Sequence, residues 1–368
     1  MEMNNHHRYH RQMILKNFGE LGQQKLLQAK VLVVGAGGLG CPALQYLAGA
    51  GIGEIGIVDD DKVSLSNLHR QILFSSDDIG LPKAEVAARK LHQLNSEIKI
   101  NVYNERLNVT NAVEIISAYD VIIDGTDNFE SRYLINDACV LLNKPLVYGA
   151  VSQYEGQIAM FNISSSDQMR GVHYRDLFPK APAEGEVMNC EEAGVLGVLP
   201  GIIGAMQASE AIKFIVGTMG NGLRNRLLTY NVLNHHIYEM ELTPNLEIDI
   251  FIPQTIQDFQ VMDYAGFCGI EKNINEIDID FFNSLIQAGT ALAIDVRELG
   301  ETPFISEFPV TQMPLSTIQQ TFKAIEKDIV VTICQTGKRS LQAAKILSTE
   351  FGESKKIYSL KGGLQSIV

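Results

Sequence analysis

The 368-residue chain has no C-x-x-C pair: its five cysteines, Cys41, Cys139, Cys190, Cys268 and Cys334, are odd in number and widely scattered. That pattern argues against a disulfide framework and against a cysteine-rich zinc site, so any cysteine that matters is expected to act as a free thiol. Positive charge is scarce too, with 30 Lys and Arg against 43 Asp and Glu and a formal net charge of −13. A face that holds nucleic acid phosphates or anionic lipid needs clustered Lys and Arg, so neither partner is expected. Long hydrophobic runs are also missing. The longest uncharged apolar stretch, residues 193–209, is interrupted by Gly194, Gly197, Pro200, Gly201 and Gly204, and it falls short of the about 20 residues of a membrane-spanning helix. It reads as a buried helix with its entry loop. The N-terminal MEMNNHHRYHRQ has no apolar signal core and no cleavage pattern, which predicts a cytoplasmic protein.

What remains is ordinary globular composition, 46% hydrophobic and 20% charged, in a chain long enough for two or three domains. From residue 31, short β-rich runs alternate with helical stretches. VLVV (31–34), IGIV (55–58), IKINVY (98–103), DVIID (120–124) and PLVYG (145–149) read as strands, with helices over 39–50, 82–94 and 128–142. The expected fold is α/β, a Rossmann-like doubly wound sheet that continues into antiparallel strands at 156–163, 227–233 and 235–242. This first domain is expected over residues 1–245. Residues 246–275 show no sustained period and contain Pro253 and Gly266, so they read as a linker. A small α/β domain is expected over 276–368, with a helix at 281–288, strands at 291–296 and 328–334, and a helix from 340 to 351.

Gly35, Gly37 and Gly40 form a G-x-G-x-x-G between the first strand and a helix. Such a loop lets backbone N–H groups and a helix N-terminus approach a phosphate. The second strand ends in Asp59, Asp60 and Asp61, where a carboxylate accepts from ribose hydroxyls. These features alone also fit an NAD-dependent Rossmann oxidoreductase. The next segment fits it less well: Ser66, Asn67 and Arg70 lie in a polar loop and Lys83 opens a helix. Two cations near a nucleotide suit triphosphate chemistry, in which the charge of departing pyrophosphate must be met. Taken singly, Arg70 and Lys83 read more simply as solvated surface charges. Asp127 and Asn128 follow the strand DVIID at the ligand edge of the sheet, where Asp127 suits Mg²⁺ or a helix N-cap.

The ordered succession RYHRQ (8–12), GAGGLGCPALQYLA (35–48), DDDKVSLSNLHRQ (59–71), PKAE (82–85), DGTDNFESR (124–132) and CEEAGVLGVLPGIIGAMQASEAIK (190–213) resembles the MoeB/ThiF family of ubiquitin-activating-type, sulfur-carrier adenylyltransferases. The resemblance implies ATP and Mg²⁺ as cofactors. Gly38, Asp59, Asn67, Arg70, Lys83 and Asp127 then match ATP-binding and adenylation positions, with Asp127 associated with Mg²⁺. Arg11 matches an arginine that reaches the phosphates from the neighbouring subunit of a homodimer. The implied partner is a small ubiquitin-like sulfur carrier ending in Gly-Gly, of the molybdopterin-synthase or thiamine type. Cys190 matches a loop cysteine expected to form a transient disulfide or thioester-type link with the activated carrier. Many relatives hold zinc with two C-x-x-C pairs. Here the corresponding segments offer His173 to Asp176 and the lone Cys268, so no structural zinc is expected. A non-catalytic protein-binding relative is the remaining alternative.

The C-terminal segment resembles a rhodanese domain through AIDVRE (293–298), MPLSTI (313–318), VVTICQTGKRSLQAAKIL (330–347) and SLKGGL (359–364). Cys334 ends a strand and is followed by Gln335, Thr336, Gly337, Lys338 and Arg339, with a helix expected from Ser340. Successive N–H groups aimed at the sulfur stabilise a thiolate or persulfide, and Lys338 and Arg339 are expected to add positive charge. Six residues is a sulfurtransferase loop length. Asp295 and Arg297 read as a structural ion pair. With no Trp in the chain and Gly362-Gly363 close to Val368, the domain is expected to be minimal. An upstream persulfide donor such as a cysteine desulfurase is implied.

Overall fold

Eight strands build the first sheet: β1 (Lys30–Val34), β2 (Glu54–Val58), β3 (Lys99–Tyr103), β4 (Val121–Asp124), β5 (Leu146–Ser152), β6 (Glu155–Phe161), β7 (Arg226–Asn231) and β8 (His236–Glu241). The computed structural model describes residues 2–164, 170–182, 193–220, 222–268 and 275–366. The spatial order is β3-β2-β1-β4-β5-β6-β7-β8, parallel from β3 to β5 and antiparallel from there on. Successive residues of β1 feed opposite cores, Val31 and Val33 on one face, Leu32 and Val34 on the other. Helices cover both faces, which is why these strands read as unbroken apolar runs.

The apolar helix runs over Val198–Val216, seven residues beyond the expected end at Ser209. Glu210 and Lys213 do not stop it because they pair with each other. By length and composition alone it is apolar enough to cross a membrane. Here it packs against β5, β6 and the helix Gly40–Ala50. Pro200 is tolerated in its first turn, where the lost N–H has no intrahelical acceptor. The N-terminal helix Glu2–Met13 carries RYHRQ, and Tyr9 is buried there with its hydroxyl accepting from Asn95 Nδ2 at 2.8 Å.

The chain divides into two compact units, Met1–Gly269 and Ile270–Val368. Most of the segment expected as a linker therefore belongs to the first unit. It forms the 3-10 turns Leu246–Phe251 and the short helices Ile256–Gln260 and Tyr264–Phe267. Phe259, Tyr264 and Cys268 are buried in the same core as Tyr133 and Tyr174. Helices of four or five residues complete too few turns to show a period, and Pro253 and Gly266 punctuate them.

The second unit holds β9 (Asn275–Ile277), β10 (Ala291–Asp295), β11 (Val310–Gln312), β12 (Ile329–Ile333) and β13 (Lys356–Leu360) in the order β11-β10-β12-β13-β9. All neighbouring pairs are parallel. Two of these strands, β10 and β12, coincide with the expected runs. The long helix Lys338–Phe351 packs on β12 and β13.

Candidate active sites

The crossovers of the first sheet diverge between β1 and β4, and a cavity of about 420 Å³ opens at the carboxyl ends of those strands, where open α/β sheets bind ligands. The glycine loop forms its floor. Gly35 has φ +91°, and a Cβ there would lie 2.9 Å from the Gly125 carbonyl oxygen, so the loops after β1 and β4 touch backbone to backbone. A Cβ on Gly40 would come within 1.9 Å of the Gly35 carbonyl oxygen. Gly40 therefore serves the close approach of helix and loop and does not line the cavity, whereas Gly35, Gly37 and Gly38 do.

Asp59, Asp61, Arg70, Lys83, Asp127 and Asn128 line the same cavity. Asp59 accepts from the N–H groups of Ala36 at 2.7 Å and Asp61 at 2.9 Å. Burial pushes its carboxyl up, against the pull of Lys83 and those two bonds. Lys83 is 3% exposed, and its ammonium donates to Asp61 Oδ2 at 2.8 Å. A buried cation whose partner is 69% exposed faces the cavity with charge to offer. Arg70 donates to Asn67 Oδ1 at 3.1 Å and to the Ser66 carbonyl at 3.3 Å. Ser66 and Asn67, expected to touch nucleotide, instead orient Arg70 and do not line the cavity. The helix cap falls to Asn128, whose Oδ1 accepts from Ser131 N at 2.9 Å. Asp127 makes no hydrogen bond or ion pair among the described residues, leaving its carboxylate open to a hard cation.

Sequence reasoning missed several contributors. Gln71 is 4% exposed, lines the cavity and leaves Oε1 without a partner. Asp124 is buried and accepts from Thr126 N at 2.9 Å and Thr126 Oγ1 at 2.6 Å, which shapes the turn that presents Asp127. Gln207 Nε2 donates to the Asp124 carbonyl at 2.6 Å, tying the apolar helix to the end of β4. A glutamine inside an apolar run was the one available signal for it. Glu105, Arg106 and Pro200 complete the rim. Arg11 is exposed in the last turn of its helix and is not among the cavity-lining residues. Cys190 lies outside the described residues.

His173, Asp176 and Cys268 do not converge on a metal-ligand set among the described residues. The two segments are instead joined by Arg175, fully buried, whose Nε and Nη2 donate to Asp137 at 2.8 and 2.7 Å. Tyr264 donates to the same carboxylate at 2.9 Å. The Arg175 guanidinium lies 4.5 Å from the Phe267 ring centroid and 4.8 Å from that of Tyr133. Cys268 is buried beside it, its thiol pushed up to about 12 by burial.

In the second unit Cys334 follows β12 and is 1% exposed. Burial acts to raise its thiol pKa. The Ser340 hydroxyl, 3.5 Å from Sγ, and the N–H groups of Ser340, Thr336 and Gly337 outweigh burial and hold it below the ordinary value. Gly337, at φ +91°, starts the helix two residues earlier than expected. Lys338 and Arg339 thus belong to its first turn, and the loop proper is Cys334, Gln335, Thr336 and Gly337. From behind, Leu364 N donates to the Cys334 carbonyl at 2.8 Å, and a Cβ on Gly363 would lie 2.2 Å from that oxygen. Arg297 and Asp295 form the expected buried pair, with Nε–Oδ1 at 3.0 Å and Nη2–Oδ2 at 2.8 Å.

A nucleotide-sized cavity with a glycine floor and convergent cations, followed in the chain by a thiolate cradle, defines a two-site nucleotide- and sulfur-handling protein. Residues 9–247 match the ThiF family and residues 280–368 a rhodanese-like domain, so the chain belongs to the ThiF family. A sulfur carrier protein adenylyltransferase of Thermus thermophilus is 46% identical over 72% of this chain and 96% of its own. The adenylyltransferase and sulfurtransferase MOCS3 of Aedes aegypti is 38% identical over 94% of this chain and 82% of its own. Among solved structures, the microcin C7 biosynthetic enzyme MccB in complex with N-formylated MccA superposes with a TM-score of 0.56 at 28% identity, covering 67% of this chain and 75% of that one. The chain is an adenylyltransferase with sulfurtransferase activity, and adenylation implies ATP use. A dehydrogenase or a non-catalytic relative is not what these matches describe.

Proposed function

We propose that the first unit adenylates the C-terminal glycine of a small ubiquitin-like sulfur carrier ending in Gly-Gly, of the molybdopterin-synthase or thiamine type, and that Cys334 supplies the sulfur. The observation that carries this reading is the pairing of buried Lys83 and loop-held Arg70 with the open carboxylate of Asp127 around one cavity. The carrier carboxylate attacks the α-phosphorus of ATP, and pyrophosphate leaves with the electron pair. Lys83 and Arg70 meet the charge that develops on the phosphates. Asp127 is the residue that would hold Mg²⁺, which would offset phosphate charge as pyrophosphate leaves.

The terminal sulfur of a Cys334 persulfide then attacks the acyl carbon and AMP departs. A cellular thiolate then attacks the Cys334 sulfur, which frees the thiocarboxylate and leaves a mixed disulfide at Cys334 for a second cellular thiol to reduce, while Cys190 is assigned a transient disulfide or thioester-type link with the activated carrier. The persulfide comes from an upstream donor such as a cysteine desulfurase. Arg11, exposed on its helix, suits reach into the neighbouring site of a homodimer. The reducing cytoplasm suits thiols used in this way. ATP–pyrophosphate exchange with purified Gly-Gly carriers, followed by mass measurement of the carrier terminus, tests the reading. Exchange and a thiocarboxylate mass are expected with one carrier class. Absence of exchange with every such carrier overturns it.

A further inference from the structure

Of the cations Arg297, Lys338 and Arg339 that accompany the Cys334 segment in the chain, two are already neutralised. Arg297 is held by Asp295. Arg339, in the first turn of the helix that follows the loop, forms a two-pronged contact with Glu301, its Nη1 donating to Oε1 at 2.6 Å and its Nη2 to Oε2 at 2.8 Å. Only Lys338, exposed, makes no hydrogen bond or ion pair among the described residues.

Glu301 is not a loose surface charge. It sits in a tight turn with Gly300 at φ +89°, and its Oε1 also accepts from Glu298 N at 2.8 Å. The Glu301 amide in turn donates to the Glu298 carbonyl at 3.2 Å. The carboxylate is thus fixed by its own turn before it meets Arg339, and both side chains remain about one-third exposed. Arg339 is close enough to Cys334 for the two to interact electrostatically. A guanidinium whose donors face a carboxylate offers little to an incoming anion, because both its fork and its charge are already matched.

We propose that Glu301 is a specificity-determining residue of the sulfurtransferase site: by occupying Arg339 it disfavours small, doubly charged sulfane-sulfur donors and leaves the site suited to persulfide sulfur presented by a protein. This rests on Cys334 being the sulfur-accepting thiol. The step at issue is balanced with either donor. The Cys334 thiolate attacks the sulfane sulfur and forms the new S–S bond. The donor's own S–S bond breaks with its electron pair on the leaving group, which is sulfite from thiosulfate or a cysteine thiolate from a protein persulfide. The proposal concerns only which leaving group's charge the surroundings accept.

The test uses the full chain with thiosulfate as donor and cyanide as acceptor, beside a persulfidated cysteine desulfurase as donor. Glu301→Gln keeps a hydrogen-bonding group at the turn and releases the charge of Arg339. It is expected to lower the KM for thiosulfate about fivefold, the scale of a partly exposed ion contact, with kcat and protein-donor transfer unchanged. Arg339→Gln is expected to raise that KM, and the double variant to return near the parent value. At Cys334 the ratio of alkylation by iodoacetate to that by neutral iodoacetamide should rise in Glu301→Gln. An unchanged KM and ratio, or an equal loss with both donors accompanied by a lower Tm, overturns the proposal and leaves Glu301 as a structural contact. Cys334→Ala separates the two levels: if sulfur transfer persists without the thiol, the underlying assignment of Cys334 fails, whatever Glu301 does.

Discussion

The two sites of this chain handle negative charge by opposite means. In the first unit two long cationic side chains face the cavity above the glycine loop: Lys83 reaches it from a helix start and Arg70 from a loop that Asn67 braces, beside the Asp127 carboxylate in the turn after β4. In the second unit the anion is met by backbone, the N–H groups of Thr336, Gly337 and Ser340 around a single sulfur, while Arg297 and Arg339 are turned to carboxylates. On the proposed function, the difference follows from what each site is to bind. A triphosphate spreads its charge over several ångströms and changes it as a bond breaks, which calls for cations placed at separate points. A thiolate concentrates one charge at one atom, and converging N–H dipoles suffice.

The sharpest way to break this comparison is to remove one charged or nucleophilic group from each unit. Lys83→Ala should lower ATP–pyrophosphate exchange about 10³-fold, the loss expected when a preorganised electrostatic group is deleted, with thiosulfate:cyanide transfer untouched. Cys334→Ser should do the reverse. Coupled losses in either variant would show that the two sites do not act as separable machines.

A smaller effect tests what joins the segment around Arg175 to that around Tyr264 and Phe267 in the first unit. Removing one partner of a buried ion pair costs about 3–5 kcal/mol, because the other charge is left without compensation. Arg175→Met should therefore lower the Tm of the first unit markedly, whereas the double change Arg175→Met with Asp137→Leu should recover much of it. If Arg175→Met leaves the Tm unchanged, the Arg175–Asp137 pair is not the brace that its burial indicates.

Much of the sheet and of the phosphate loop was legible in the sequence, because a strand buried on both faces and a glycine triplet at a strand end leave local patterns. Gly35, Asp59 and Asp127 were found that way, Arg70 and Lys83 as site residues only through the family resemblance, and all five line one cavity. What was not legible depends on contacts between distant residues. Glu301 and Arg339 lie far apart in sequence, as do Gln207 and Asp124, and neither pair leaves a local period. Gln71 adjoins Arg70 in the HRQ segment, yet only its burial shows that it shares the cavity. The short helices Ile256–Gln260 and Tyr264–Phe267 hid for the same reason, since Phe259 and Tyr264 declare themselves only by packing on a core built elsewhere.

The smallest expected effect is also the most informative about the cradle. Ser340 supplies one hydroxyl contact to Cys334, and its Oγ also donates to the Gly337 carbonyl at 2.9 Å and accepts from Ser359 at 3.0 Å. Ser340→Ala removes the hydroxyl and keeps every backbone N–H. The thiol pKa, held below its ordinary value in the folded protein, should rise, since the Ser340 side-chain contact that opposes burial is lost. The thiolate fraction then falls only below the new pKa. The acid limb of the pH profile for Cys334 persulfide formation should shift upward, while the plateau at higher pH is retained. A drop of equal size at every pH would mean that Ser340 holds the loop's shape and not its charge, and would leave the anion to the backbone N–H groups alone, the sharpest form of the contrast with Lys83 and Arg70.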